Sequence, residues 1–253
     1  NSMFYFRRDM TLSEDISKTA LEKTLHFALL DPEDQTPEEA AVKAKTAEKA
    51  GSSAIMVGGS TLASSEQVDA TVKAIKNNCK LPVILFPSGA KFLSGYADAI
   101  FFMSLLNSRN LDFVIREHVK GGPFVKHVGL EPISMGYLIV EPGMTAGKMG
   151  DVDLVERSDI ETAVGYGIAS EFLGMKFFYL EAGSGAPDPV SDEMIKAVKK
   201  NINIPLVVGG GIRDAETVRK KAIAGADIIV TGTALEEEKN LERALNKIVE
   251  ATK

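Results

Sequence analysis

The sequence predicts an α/β fold, a single (β/α)₈ barrel, on three observations. Short apolar runs rich in β-branched residues recur about every 25 to 35 residues, and most precede a segment with helical spacing. Eight such runs are present, and some, such as Pro205 to Val208 and Ile228 to Val230, are continuously apolar, as parallel strands buried on both faces are. Glycine-rich turns follow the last two runs, where this barrel commonly binds phosphate. An open doubly wound sheet is the alternative, but eight regular units favour closure.

The first half of the chain supplies four strands, and we expect them at 25–30, 54–57, 83–86 and 99–104. Thr36, Pro37 and Glu39 supply a cap, a first-turn proline and a capping-box acid for the first helix, which Gly51 ends. A second helix is predicted at 66–76. Only about a dozen residues separate strands three and four, too few for two loops and a helix. The third helix is therefore expected to be irregular or missing.

The second half continues the alternation. A helix is predicted at 111–120, and Ser158 with Glu161 forms a capping box for another helix that ends at Leu173. The remaining predicted strands are 137–140, 177–181, 204–208 and 227–231, and the remaining helices are 191–200, 214–224 and one that ends near 251. A long loop, 141–157, follows strand five, and loops of this length often act as lids or binding loops.

Length and charge restrict the classes of protein. The 253 residues are 45% hydrophobic, with no apolar run long enough to cross a bilayer and no linker, so we expect one domain, 1–253. We interpret Asn1 to Met3 as vector-derived residues. The net charge of −6 argues against nucleic-acid binding, although a local pocket can still hold a small anion. The single Cys79 excludes an internal disulfide, and without a visible secretory signal we expect a cytoplasmic protein.

The clearest binding signal is a predicted phosphate site. Gly209, Gly210 and Gly211 follow strand seven directly, and Gly232 and Thr233 follow strand eight before the last helix. Glycines let main-chain N–H groups approach an anion, and a helix N-terminus favours negative charge. The same glycines would also suit tight turns, but three in succession exceed what a turn needs. The pattern predicts phosphate binding and leaves the reaction open.

Four further residues are candidates for chemistry. Asp31 and Ser60 stand at the carboxyl ends of strands one and two, where they could hold Mg²⁺, although a turn carboxylate and a helix cap are the simpler roles. Tyr179 and Glu181 are two residues apart on strand six and therefore point to the same face. They would either stand over the pocket or form a polar layer in the core.

Other side chains suggest a groove and exclude a zinc site. Together with the 141–157 loop, five side chains on the side of the missing helix could line an apolar groove or simply form core: Phe86, Phe92, Phe101, Phe102 and Met103. The histidines, His26, His118 and His127, lack metal-ligand spacing, and we expect His26 in the core.

Six segments carry a resemblance to a known family: LLDP at 29–32, GGST at 58–61, YLIVEPG at 137–143, YLEAGSG at 179–185, VGGGIRD at 208–214 and TGT at 231–233. With these segments the chain resembles the geranylgeranylglyceryl phosphate synthases and their bacterial prenylglyceryl phosphate synthase relatives. YLEAGSG is the most specific, whereas VGGGIRD occurs in many phosphate-binding barrels. The resemblance covers nearly the whole chain after Thr24.

The resemblance implies a prenyltransferase of archaeal-type lipid synthesis. Such an enzyme joins a polyprenyl diphosphate to sn-glycerol 1-phosphate. By resemblance, Asp31 and Ser60 hold Mg²⁺, and Glu181 orients the acceptor hydroxyl and takes its proton, with Tyr179 and Asp31 as further catalytic residues. The implied residues for glycerol 1-phosphate are Tyr179, Leu180, Glu181, Ala182, Gly183, Ser184, Gly185, Gly210, Gly211, Gly232 and Thr233.

The resemblance also implies a homo-oligomer and, because the substrate is a lipid, transient contact with a membrane surface. The segment 144–149 departs from the family pattern, which leaves the length of the prenyl donor open. Two other functions stay open at this point. One is a sugar-phosphate isomerase or epimerase with the same phosphate grip, which would need a second acid/base group. The other is a phosphate-binding barrel without activity, kept for assembly.

Overall fold

The computed structural model describes residues 10–59, 64–232 and 240–253. Eight parallel strands pair in sequence order, and β8 returns to β1, so the predicted closed barrel is confirmed. The strands are β1 (Leu25–Leu30), β2 (Ala54–Gly58), β3 (Val83–Phe86), β4 (Ala99–Leu105), β5 (Glu131–Ile139), β6 (Phe177–Glu181), β7 (Leu206–Gly209) and β8 (Ile228–Thr231).

Helices surround this barrel. They are α1 (Leu12–Ala20), α2 (Pro37–Ala50), α3 (Ser65–Asn78), α4 (Glu117–Val128), α5 (Met144–Met149), α6 (Ile160–Phe172), α7 (Asp192–Asn201), α8 (Ala215–Ala224) and α9 (Leu241–Glu250), and a π-helix (Asp112–Arg116) precedes α4. Among the described residues, no helix has both the length and the apolar character needed to cross a membrane.

Helix α1 was not predicted, although its signals are local. Thr11 and Glu14 form a capping box, and the carboxylate of Glu131, the first residue of β5, accepts hydrogen bonds from the N–H groups of Leu12 and Ser13 at 2.6 and 2.8 Å. The buried face of α1 belongs to the same cluster as the barrel interior. The helix therefore covers the amino ends of the strands, opposite the predicted site.

The third helix is missing, as predicted, because residues 87–98, all described, form only turns. The prediction that the next helix ends at residue 120 was wrong. That helix starts as a π-helix and continues to Val128, and Gly129, at a φ of 75°, ends it. Gly121 is buried, and a Cβ there would lie 3.2 Å from Leu93 and 3.4 Å from Ala90. This glycine permits close packing on the turns that replace the missing helix, and it does not end α4.

Three other expectations need correction. Strand β5 begins at Glu131, six residues before its expected start at 137, because β4 pairs with residues 131–137 along its whole length. Asp159, and not Ser158, caps α6, since its carboxylate accepts from the N–H of Thr162 at 3.1 Å. The predicted loop 141–157 contains the short helix α5.

An aspartate carboxylate binds the amino ends of two strand pairs in the same way, Asp227 from a buried position and Asp98 from an exposed one. Asp227 accepts from the Leu206 N–H at 2.7 Å and from Lys199 Nζ at 2.6 Å, which joins α7, β7 and β8. Asp98 accepts from the Val83 N–H at 2.8 Å and pairs with Lys76, which joins α3, β3 and β4. The amino-terminal rim of the barrel is thus held by charge-assisted hydrogen bonds.

Candidate active site

A polar cavity of about 220 Å³ opens at the carboxyl ends of the strands. It brings together seven of the residues singled out in the sequence: Asp31, Tyr179, Glu181, Ser184, Gly210, Gly211 and Gly232. These residues come from or directly follow strands β1, β6, β7 and β8, because parallel strands end at one rim of the barrel. Phosphate-binding and acid–base candidates therefore face one space.

Other predicted residues lie elsewhere. Leu180 and Ala182 are fully buried in the outer cluster between the barrel and its helices, so their side chains point away from the cavity. Gly183 and Gly185 belong to the loop that follows β6, at φ values of 100° and 73°. Ser60 and Thr233 lie outside the described residues.

The cavity wall contains a buried carboxylate. Glu181 Oε1 accepts a hydrogen bond from the main-chain N–H of Gly183 at 2.6 Å. Burial raises the pKa of Glu181 above the usual range of a carboxyl group, while hydrogen bonds from Tyr179 and Gly183 oppose that rise. A carboxylate with a raised pKa is suited to accept a proton from a substrate hydroxyl. Of the two sequence interpretations, the polar pair over the pocket matches this geometry.

Tyr137 is a site residue that the sequence reasoning missed. It is the β5 partner of Tyr179, and the two ring centroids lie 5.1 Å apart. Phe86 completes an aromatic cluster, with its ring 5.6 Å from that of Tyr137 and 5.8 Å from that of Tyr179. Burial, and then the charge of Glu181, hold the pKa of Tyr137 well above its usual value, so its hydroxyl stays protonated. Its position in YLIVEPG, near the carboxyl end of a predicted strand, was the available signal.

The glycines allow the loops around the cavity to approach each other. Gly210 has a φ of 83°, and a Cβ there would collide with Glu181 Oε1 and lie 2.6 Å from the Gly183 nitrogen. Among the described residues that line this cavity, there is no lysine or arginine. Among these described residues, main-chain N–H groups are the donors that the glycine pattern predicts for an anion.

Asp31 also lines this cavity and contributes carboxylate oxygens to its wall. Its Oδ1 accepts from the Glu33 N–H at 3.0 Å, and its carboxylate lies so close to Gly59 that a Cβ there would collide with Oδ2. Asp34 lines the same cavity. Within the described residues, no group of three or more His, Cys, Asp or Glu side chains could hold a metal ion. One or two carboxylates suit Mg²⁺, which prefers oxygen and keeps part of its water shell, and do not suit zinc.

An apolar groove of about 180 Å³ adjoins the polar cavity. Four of the five predicted aromatic and methionine residues line it, namely Phe86, Phe101, Phe102 and Met103, together with Ala146, Met149 and Gly150 of the 141–157 segment. Phe92 instead lines a smaller space beside Asp31. The groove lies between the turns that replace the missing helix and the start of α4. Gly59, Phe86, Tyr137 and Ala146 line both spaces, so the groove meets the polar cavity.

Comparison with known proteins identifies the family. Residues 17–252 match the PcrB family. The geranylgeranylglyceryl phosphate synthase of Thermococcus sibiricus is 53% identical over 90% of this chain and 89% of its own length, and that of Pyrococcus abyssi is 51% identical over 96% and 95%.

Solved structures agree with this match. The (S)-3-O-geranylgeranylglyceryl phosphate synthase of Thermoplasma acidophilum, in complex with its substrate sn-glycerol-1-phosphate, superposes with a TM-score of 0.94 at 44% identity, over 96% of this chain and 99% of that one. A thiamine phosphate pyrophosphorylase of Pyrococcus furiosus, with a TM-score of 0.58 and 13% identity over 92% and 97% of the chains, shares the fold alone. The resemblance inferred from the sequence motifs is confirmed: the chain is an enzyme and belongs to the PcrB family, together with the geranylgeranylglyceryl phosphate synthases.

Proposed function

We propose that this enzyme transfers a geranylgeranyl group from its diphosphate to the 3-hydroxyl of sn-glycerol 1-phosphate. One observation carries the proposal: an apolar groove and a polar cavity meet at Phe86 and Tyr137, with the buried Glu181 on the polar side. A prenyl chain matches the groove, and a small phosphate ester matches the glycine-lined cavity. The similarity to synthases of this name supports the same pair of substrates.

The reaction follows from this arrangement. The bond between the first prenyl carbon and the diphosphate oxygen breaks, and the glycerol 3-hydroxyl oxygen forms a bond with that carbon. Glu181 takes the hydroxyl proton, and diphosphate leaves with the electron pair of the broken bond. Tyr179 donates to Glu181 and keeps this carboxylate oriented. The aromatic rings around the junction exclude water, which would otherwise compete with glycerol phosphate as the nucleophile.

The donor diphosphate requires positive charge, and we propose that Mg²⁺ supplies it. Asp31 would hold the ion, with Ser60 as the second predicted ligand, and Asp34, which lines the same cavity, would contribute its carboxylate. When bound, Mg²⁺ would offset the negative charge that develops on the departing diphosphate. Asp31 follows β1 and Glu181 ends β6, so the proposed metal ligand and the proposed base come from strands that are not neighbours in the barrel.

The test is a transfer assay with geranylgeranyl diphosphate and radiolabelled sn-glycerol 1-phosphate, extracted into an organic solvent. We expect label in the organic phase with Mg²⁺ and none with EDTA. The Asp31→Ala variant should lose turnover but keep its affinity for glycerol 1-phosphate, measured by calorimetry. Full activity of Asp31→Ala would contradict Asp31 as a metal ligand. If no donor of any chain length gives transfer, the prenyltransferase proposal is wrong and a sugar-phosphate isomerase becomes the better interpretation.

We also propose that the enzyme works as a homo-oligomer that contacts a membrane surface transiently. Four exposed apolar side chains lie along the π-helix, its preceding residue and α4, namely Leu111, Ile115, Val119 and Phe124. Such exposure is typical of interaction surfaces. Sedimentation velocity should give a mass above that of one chain. The Ile115→Asp and Val119→Asp variants should reduce that mass if this face joins two copies.

A further inference from the structure

The loop between β6 and α7, residues 182–190, is here named the β6 loop. It contacts the buried carboxylate of the polar cavity and also forms part of the cavity wall. Its Gly183 donates to Glu181, and its Ser184 lines the cavity wall. The conformation of this loop therefore controls the carboxylate and the wall on which an acceptor phosphate would rest.

Two arginines from other segments hold the β6 loop by its carbonyl oxygens. Arg213, which follows the glycines after β7, donates from Nη2 to the Gly185 oxygen at 2.7 Å. Arg157, at the end of the 141–157 segment, donates from Nη1 to the Pro189 oxygen at 2.8 Å and to the Asp188 oxygen at 3.2 Å. Among the salt bridges between described residues, none includes either arginine. Both guanidinium groups thus bind main-chain oxygens of one loop.

The β7 side of the cavity packs directly against the same loop. A Cβ on Gly211 would lie 2.8 Å from the Ala186 oxygen and 3.1 Å from the Pro189 nitrogen. The loop is therefore held at three places, by Arg213, by Arg157 and by the close approach of Gly211. The cavity it borders contains the carboxylates of Asp31, Asp34 and Glu181 and, among its described residues, no basic side chain. A cation that fixes the loop from behind would also favour an anion in that cavity.

We propose that Arg213, assisted by Arg157, is a positioning residue for the acceptor phosphate. It holds the β6 loop in the conformation that turns main-chain N–H groups toward the phosphate and keeps the Gly183 N–H on Glu181. The inference rests on the proposed function in that it takes the acceptor to be a small phosphate ester. Arg213 acts through the loop and touches no reacting atom.

Steady-state kinetics of Arg213→Met and Arg213→Lys test the proposal, with Lys220→Met as the matched control. Lys220 is an exposed residue of α8 that pairs with Glu216. Its replacement removes a positive charge without removing a contact to the β6 loop. Because Arg213→Met removes a charged hydrogen bond, we expect the KM for glycerol 1-phosphate to rise about 10- to 100-fold. The kcat at saturation and the KM for the prenyl donor should change little, since bound phosphate re-forms the loop. Arg213→Lys should recover part of the loss, and Lys220→Met should behave as wild type.

Two measurements do not depend on turnover. Amide hydrogen exchange of residues 183–189 should be faster in free Arg213→Met than in wild type, and saturating glycerol 1-phosphate should restore the slow rate. In calorimetry, the dissociation constant of Arg213→Met for glycerol 1-phosphate should rise by the same factor as its KM. Arg157→Met should change the exchange rate and the affinity in the same direction as Arg213→Met, but by less. If wild type binds glycerol 1-phosphate but transfers no prenyl group, the proposed function fails and the inference stands. If Arg213→Met binds it as wild type does, the inference is overturned.

Discussion

The main-chain N–H of Gly183 donates to Glu181 Oε1 at 2.6 Å, so the first glycine of the β6 loop is bonded to the carboxylate two residues before it. This bond links the wall of the polar cavity to the carboxylate that we propose as its acid–base group. Since Gly210 approaches both residues, the three segments YLE, GSG and GGG meet at one point.

Replacing Glu181 by glutamine should separate binding from catalysis. Glutamine keeps the shape of the side chain but takes no proton at pH 7, and loss of a general base typically costs about 10²- to 10⁴-fold in rate. We expect kcat to fall in that range, whereas the dissociation constant for glycerol 1-phosphate should change by less than about threefold. Rapid-quench kinetics and calorimetry check the two parts. A Glu181→Gln enzyme with wild-type kcat would show that another group accepts the proton.

The pH dependence of kcat/KM should reveal the pKa of Glu181. Burial raises that pKa, and the base acts only when ionised, so activity should fall with acidity at a higher pH than an ordinary carboxyl group would give. The Tyr179 hydrogen bond lowers the same pKa. Tyr179→Phe should therefore move the acidic limb of the profile to still higher pH. A limb that stays in place in Tyr179→Phe would argue against Glu181 as the titrating group.

Gly210→Ala should prevent acceptor binding, because its Cβ would collide with Glu181 Oε1 and its φ of 83° disfavours a side chain. We expect the affinity for glycerol 1-phosphate to fall by at least about tenfold and the protein to lose roughly 1 to 3 kcal/mol of stability. The matched control is Gly165→Ala on the exposed face of α6, where no atom lies within 4 Å of the new Cβ. That change should raise the free energy of unfolding by about 0.5 to 1 kcal/mol and leave activity unchanged.

His26 should make the fold sensitive to acid. It is buried, as expected, between Ser52 Oγ at 2.8 Å and Thr231 Oγ1 at 2.9 Å, and burial lowers its pKa from 6.5 to about 4. The unfolded chain therefore binds a proton before the folded one does, and the free energy of unfolding falls as the pH drops from 6.5 to 4. The full effect across this window is about 3 kcal/mol.

Urea unfolding of wild type and His26→Asn at pH 7.5 and 4.5 measures this effect. The variant should be less stable at pH 7.5, since its side chain cannot span both hydroxyl groups. Its further loss on acidification should be smaller than that of wild type, because asparagine does not titrate. Equal acid losses in the two proteins would assign the sensitivity to other groups.

Local sequence signals predicted most of the fold. Strands stood out because buried parallel strands are nearly continuous apolar runs, and the short spacing before Ala99 predicted the missing helix. The errors occurred where tertiary packing overrode local propensity. The helix predicted to end at residue 120 continues through Gly121, because α4 needs a small residue there against Leu93. Helix α1 is the exception, because its capping box of Thr11 and Glu14 is a local signal that was overlooked, and only the support from Glu131 is distant in sequence.

The sequence predicted some residues of the candidate site and missed others, for a similar reason. Asp31, Glu181 and the glycines stand at strand ends, where position alone indicates a role. Tyr137 was missed because a tyrosine inside an apolar strand resembles core until its neighbours Phe86 and Tyr179 are known. The roles of Arg157 and Arg213 depend on carbonyl oxygens, which the sequence does not distinguish from one another.

The carboxylates of Asp98 and Asp227 hold the rim farthest from the cavity. These stabilising hydrogen bonds and the candidate active site thus lie at opposite ends of one barrel. Mutational libraries directed at the groove therefore leave this set of stabilising contacts intact. An engineer who wishes to reshape the groove can leave these two aspartates and their lysines untouched and vary the less buried lining residues, such as Phe102, Met103 and Met149.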